Sequence, residues 1–483
     1  MHTAHQRRTG AVSAIAALAL GASAVAAAAP GAAAVAPARH AAAASAQITV
    51  LTPYAAIGQT VRWTAKGLPP SQTLDVVWET AQGTWKINGQ TLIGDTYTFG
   101  QSILGTLKST ASGTAAGSFV VPAGFGGVHN FGLTLTSGTP EASSSVTVTM
   151  TARISSTTEP DGGFFTLHVQ GLGYGGGYNA YDAEYGILYD DHYMGFISGV
   201  TTEGAATFQV RAEGVGAHEI SIINSPVEGP YLNQQQSPYP WFPQFDWKVD
   251  VTQAVPTTRT AAVPVDTAPA VGDHLTVTPG AGYVGGALTL TGSGLPKSSA
   301  LAIEWQTQLG NRVTSGLWSS TALDLGTVRT SAEGAFSATL KVPSTLGGPP
   351  HVIDLVDNGK VVGHSQFQIF PRLVGVTPAV VRQGQPFTVH LTGVGWTQYD
   401  NIYAVDYDDA YVGYGCGFNS QGDVQVVLRA AGAPGYHFID LYPSPYQGGA
   451  PVPNWYGMPQ LTYASDHPGE KLPAFHVVIR VVK

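Results

Sequence analysis

The heptapeptide LDVVWET at Leu74–Thr80 returns as LAIEWQT at Leu301–Thr307. Successive side chains of an extended chain point to opposite faces, so Leu74, Val76 and Trp78 share one face and Leu301, Ile303 and Trp305 share the equivalent one. An apolar face of period two reads as a half-buried strand, and its return after 227 residues (from 74 to 301) reads as a duplicated unit. The flanks hold the register: GLP stands at Gly67 and Gly294, and VP followed by GG recurs from Val121 and Val342. Short alternating runs bounded by Gly, Pro, Asn and Asp continue along the chain without long helical periodicity, which predicts an all-β protein.

A second unit is duplicated as well. FTLHVQGLGY at Phe165 matches FTVHLTGVGW at Phe387, and YGILYDDHYMGFISGVTTEGA from Tyr185 matches YAVDYDDAYVGYGCGFNSQGD from Tyr403 without a gap. The order is A-B, linker, A-B, with A modules over 47–150 and 274–370 and B modules over 151–252 and 371–483. The Pro-, Ala- and Thr-rich stretch 253–273 cannot build a core and reads as an extended, semi-rigid spacer. Strand-like runs cross each A-B boundary, so each pair is expected to form a short rod.

Composition limits what such a chain can do. It has 483 residues, 60 Gly, 32 Pro and 11% charged residues against 43% hydrophobic, which is enough for several compact units and too apolar for a disordered polymer. Arg7 and Arg8 precede an Ala-rich apolar run, so residues 1–46 read as an export segment and the mature chain as starting near Gln47, secreted and without a membrane span. Removing Arg7, Arg8 and Arg39 from 22 basic residues, against 31 acidic, leaves a mature charge of −12. That excludes nucleic acid as an expected partner. A single cysteine, Cys416, rules out an intramolecular disulfide, so each module must be held by burial.

The stretches VTPAVVRQGQPFTVHLTGVGW and LTVTPGAGYVGGALTLTGSGLP resemble the opening of bacterial Ig-like modules of the IPT/TIG type. The resemblance implies four tandem β-sandwiches of about seven strands each, with Trp78 and Trp305 in their cores and no inter-sheet cystine. It also implies surface adhesion or spacer roles. Fold alone does not assign function.

Two sets of residues stand out as candidate sites. The YDD runs read as hairpin turns whose aspartates accept backbone hydrogen bonds. The sharper alternative is a calcium site of Asp406, Asp408, Asp409 and Asp423, hard oxygen donors in a small region. The Pro-rich segments after the SP pairs carry Tyr231, Tyr239, Trp241 and Phe242 in the first B module, and Tyr446, Trp455, Tyr456 and Tyr463 in the second. Such rings can stack on sugars or anchor a protein partner, or can fold back onto their own modules. No catalytic constellation and no obligate cofactor is read. The expectation is a non-enzymatic, secreted adhesion or binding protein acting on an extracellular polymer, a cell-envelope glycan or a surface protein. A self-associating matrix protein and a polysaccharide-acting enzyme are the alternatives.

Overall fold

Alternation builds the strands. In Thr60–Lys66 the side chains of Val61, Trp63 and Ala65 are buried between exposed neighbours, and in Phe164–Gln170 Phe165, Leu167 and Val169 are buried between mostly half-buried ones. The computed structural model describes residues 46–88, 91–173, 184–225, 230, 232, 244–260, 265, 267–310, 318–397, 400–418, 420–445, 457–467 and 472–483. All but the last residue of the expected export segment 1–46 lies outside them. Among the described residues the only helix is Tyr463–Asp466, and the rest of the regular structure is strand.

Among the described residues the strands form eight sheets, and the buried apolar residues fall into four clusters, each drawn from two sheets. In the first A region, Gln47–Val50, Thr60–Lys66 and Ala115–Val120 form one sheet. Its partner sheet runs Tyr54–Ala56, Pro140–Thr149, Gly127–Leu135, Thr73–Asn88 and Thr91–Lys108. In the first B region, Ala205–Arg211, Phe164–Gln170 and Thr151–Ile154 form the small sheet. The large one runs Thr158–Pro160, Phe245–Thr252, Gly216–Asn224, Glu184–Tyr189 and His192–Ser198. The second A and B regions repeat this plan, and all four place a short early strand parallel to the last strand, as in Tyr54–Ala56 with Pro140–Thr149. The architecture is all-β and Ig-like, two packed sheets over each core.

Trp78 and Trp305 are core residues, and each packs on a histidine, His129 at 4.9 Å and His351 at 5.1 Å between ring centroids. His129 bridges the carbonyls of Glu79 and Phe125, and His351 those of Gln306 and Leu346, so the two tryptophan sites are built alike.

The A-B junctions are also duplicated, and both are backbone against backbone. Gly126 donates its N–H to the Leu172 carbonyl (2.7 Å) and Gly347 to that of Val394 (3.0 Å). A Cβ on Gly126 would strike the Gly171 carbonyl oxygen, and one on Gly347 that of Gly393. Gly347→Ala is therefore expected to destabilise by about 1–3 kcal/mol through overpacking. Gly105→Ala, where an added Cβ meets open space, should stay within about 0.5 kcal/mol. Thermal unfolding of the two variants checks the contrast.

The described parts of the stretch 253–273 are extended, and parts of it are paired with neighbouring strands. Arg259–Thr260 pairs with His476 and Phe475 at the edge of the last sheet, Thr258 Oγ1 accepts the Val478 N–H (3.1 Å), and Ala270–Val271 pairs with Leu275–Thr278. Extended chain rich in Pro and Thr still carries unpaired backbone groups, and an open sheet edge supplies their partners. With the linker so held, the second B sandwich packs on the first.

Candidate functional site between the two B sandwiches

The YDD runs are two-residue hairpin turns. Tyr189 pairs with His192 and Tyr407 with Ala410, and both aspartates of each turn have positive φ: 47° and 62° at Asp190 and Asp191, 48° and 55° at Asp408 and Asp409. That is the type I′ geometry matched to strand twist. The tyrosines clip the loop opposite. Tyr189 Oη donates to the Glu213 carbonyl (2.9 Å) and accepts that residue's N–H (3.2 Å), and Tyr407 does both with Ala431 (3.0 and 2.9 Å).

The first aspartate of each pair has a structural role. Asp190 Oδ1 accepts the Glu219 N–H and its Oδ2 lies 2.6 Å from His218 Nδ1; Asp408 repeats both contacts with Phe438 and His437. The hydrogen bond it donates to Asp408 holds the His437 imidazole above its ordinary pKa against the opposing effect of burial. Asp423 lies 3.0 Å from His390 Nε2 on the small sheet. Asp408 and Asp423 therefore serve different histidines, and the expected four-aspartate calcium set does not come together.

Asp406 and Asp409 go elsewhere. Strand Ile402–Tyr407 is buried at its first five residues, because one face covers its own core and the other is covered in turn. Asp406 sits on that second face and is 1% exposed; Asp409 is 2% exposed, whereas Asp191, its counterpart in the first copy, is exposed. They join Asp440 and, from the first B sandwich, Glu213, and ligand oxygens of Glu213, Asp409 and Asp440 lie within 4.8 Å of one another. Neither oxygen of Asp406 or Asp409, nor Glu213 Oε2, has a hydrogen-bond partner among the described residues.

Arg211 is the cation of this interface. It is fully buried, donates from Nη1 to Asp440 Oδ1 (2.6 Å) and to the Val477 carbonyl (3.3 Å), and lies 4.3 Å over the Phe438 ring. His476 Nδ1 lies 3.1 Å from the same Asp440 oxygen. Burial raises the Asp440 carboxyl, but Arg211 and His476 outweigh it and hold the group below the ordinary range. Asp406, Asp409 and Glu213 are pushed well up, first by burial and then by one another and Asp440.

Most of the interface acids lack a counterpart in the repeat. Leu188 stands at the position of Asp406, Ser221 at that of Asp440 and Ala431 at that of Glu213. Arg211 matches Arg429, which is exposed and donates to the Gly384 carbonyl. The departures from repetition could have flagged the cluster; similarity between the copies could not.

Of the expected aromatic set, Tyr231, Tyr239, Trp241, Phe242, Tyr446, Trp455 and Tyr456 lie outside the described residues. Tyr463 is not an exposed ring. It opens the helix Tyr463–Asp466, is 2% exposed and stacks on His467 at 4.4 Å, because this part of the loop folds back into a junction of three sandwiches. There Phe196 bridges Gln460, Ser198 donates its N–H to Thr462 Oγ1 (2.9 Å) and its hydroxyl to Asp466 Oδ2 (2.5 Å), and Thr201 N–H donates to Asp466 Oδ1 (2.7 Å). From the first A sandwich, Trp85 donates to the Asp466 carbonyl (2.8 Å) and stacks on His467 at 4.7 Å.

No family model and no curated protein matches the chain. Among solved structures it is similar to native E. coli alpha-2-macroglobulin at 10% identity, covering 89% of this chain and 31% of that one, with a TM-score of 0.18. The ICAM-5 ectodomain fragment matches at 14% identity over 90% of this chain and 100% of its own (TM-score 0.19), and the E. coli adhesin FdeC at 14% over 68% and 98% (TM-score 0.17). The chain spans about a third of the length of the bacterial alpha-2-macroglobulins it matches. Scores this low carry nothing about function. Among the described residues, no helix is long and apolar enough to cross a membrane.

Proposed function

We propose that the chain is a secreted, non-catalytic binding or adhesion protein of IPT/TIG-type modules, presenting two aromatic segments to an extracellular polymer, a cell-envelope glycan or a surface protein. The observation that carries this reading is positional. The segments bearing Trp241 and Trp455 connect the same two strands in each B sandwich, Gly216–Asn224 to Phe245–Thr252 and Gly435–Pro443 to Phe475–Val482. Those sandwiches are joined through Arg211 and Asp440, so the points from which both segments leave are held in one relation. Two equivalent contacts on one rigid support add avidity toward a repetitive target without further contacts.

The candidate ligand residues are Tyr231, Tyr239, Trp241, Phe242, Tyr446, Trp455 and Tyr456, with Tyr463 removed by its burial. Co-sedimentation of residues 47–483 with cell walls and insoluble polysaccharides tests the reading. The native chain should pellet with one target class, and Trp241→Ala combined with Trp455→Ala should lose at least tenfold in affinity, the order expected for two aromatic anchors. Equal binding by both chains, or by neither, removes the aromatic segments as the binding surface.

A further inference from the structure

Four carboxylates, Glu213, Asp406, Asp409 and Asp440, meet in the interface of the two B sandwiches, and the buried cations facing them are Arg211 and, at 3.1 Å from Asp440, His476. Arg211 spends its one carboxylate contact on Asp440. Among the described residues the other three acids hold five oxygens with no hydrogen-bond partner, both of Asp406, both of Asp409 and Oε2 of Glu213, while Nε and Nη2 of Arg211 are likewise unpartnered. Burying such groups without partners is costly, and something must satisfy them.

We propose that Glu213, Asp409 and Asp440, with Asp406 beside them, bind a divalent hard cation, calcium, that ties the first B sandwich to the second.

The geometry suits such an ion. Oxygens of Glu213, Asp409 and Asp440 all lie within 4.8 Å of one another, no farther apart than two ligands of one ion with Ca–O distances of ~2.3–2.6 Å can be. The donors are all carboxylate oxygens, the chemistry calcium prefers over the nitrogen and sulfur donors favoured by zinc or copper. Asp406 is an independent sign of a ligand, since it is 1% exposed, belongs to a different strand from Asp440, and has both oxygens unpartnered. The charge count agrees. Four ionised acids against Arg211 leave −3 with His476 neutral and −2 with it charged, and one divalent ion brings the site close to neutrality.

The donors come from both copies of the repeat, so binding couples directly to docking. Glu213 follows strand Ala205–Arg211 of the first B sandwich, while Asp406, Asp409 and Asp440 lie on or beside strands Ile402–Tyr407 and Gly435–Pro443 of the second. An ion held by both sets favours the docked arrangement by mass action.

The test uses the full chain, stripped with EDTA and titrated at pH 7.5 with calcium chloride, and separately with magnesium chloride, by calorimetry and thermal unfolding. One calcium per chain is expected, with a rise in Tm of about 5 °C at a hundredfold excess over Kd. Glu213→Gln and Asp406→Asn should each weaken calcium at least tenfold, while Asp191→Asn, the exposed counterpart of Asp409, should bind as the native chain does. Asp406→Asn should also raise the Tm of the stripped protein, which separates loss of a ligand from failure to fold. The proposal is overturned if millimolar calcium neither binds nor shifts the Tm, if magnesium binds more tightly than calcium, or if both interface variants retain native affinity. The last outcome would leave proton uptake as the means by which the acids are neutralised.

Discussion

Replacing Arg211 with methionine is expected to weaken the docking of the two B sandwiches by about 3–5 kcal/mol, the range for removing one partner of a buried ion pair. The guanidinium is fully buried against Asp440, and its central carbon lies 4.3 Å from the Phe438 ring centroid and 5.8 Å from that of Phe164. Methionine conserves much of the volume, so the loss is electrostatic: in the EDTA-stripped chain, where the effect is read, Asp440 is left with His476 among three other acids. The same change at Arg429, its repeat counterpart, should stay within about 0.5 kcal/mol, because that side chain is exposed and makes only a surface contact. Combining Arg211→Met with Asp440→Asn should recover part of the loss, since the uncompensated charge goes with its partner. Thermal unfolding of the three variants, with small-angle scattering to see whether the B sandwiches separate, reads these effects. Equal losses at Arg211 and Arg429 would mean that the ion pair does not hold the interface.

The second large effect is acid release of the three-way junction at His467. Burial between Trp85 and Tyr463 lowers this imidazole from its ordinary 6.5 to about 3. Between those values the unfolded chain binds the proton and the folded chain does not, so stability from this group is full above pH 6.5 and falls as the pH drops toward 3. At about 1.4 kcal/mol per pH unit the group accounts for roughly 5 kcal/mol over that window. Asp466 and Glu184 at the same junction have raised values, set first by burial, and act in the opposite sense. The difference between the native chain and His467→Phe isolates the histidine, because phenylalanine keeps the stacking and cannot titrate. Amide exchange at Ser198 and Thr201, whose N–H groups bond Thr462 and Asp466, should rise in the native chain from pH 7 to pH 4.5 once intrinsic rates are corrected. It should rise less in the variant. Parallel behaviour of the two chains would remove His467 as the acid-labile group.

Both effects arise where the chain meets itself, and neither was visible in its repeats. Local patterning was enough for the all-β class, for the inward faces of Leu74, Val76 and Trp78 and their copies, and for the YDD turns, because strand alternation and positive-φ turn chemistry act between near neighbours. Duplication was equally legible, since the same core and the same A-B contacts require the same residues twice. For the linker, composition shows only that a segment lacks a core of its own; the open edge beside Phe475 and His476, on which Arg259–Thr260 pairs, is a property of the folded sheet. For Tyr463 the sequence left binding and folding back both open, and the choice was made by its stacking on His467 in a junction that Trp85 and Ser198 enter from other sandwiches.

By itself the sequence determined what each strand does with its two faces, because burial on one side of an extended chain is written in every second residue. Which outer face is buried a second time was decided only by the tertiary structure. Asp406, Asp409, Asp440 and Glu213 become one electrostatic unit because two copies of a sandwich dock, and the partners of a charge across that interface are set by distances between residues about two hundred positions apart in sequence, 229 for Arg211 and Asp440.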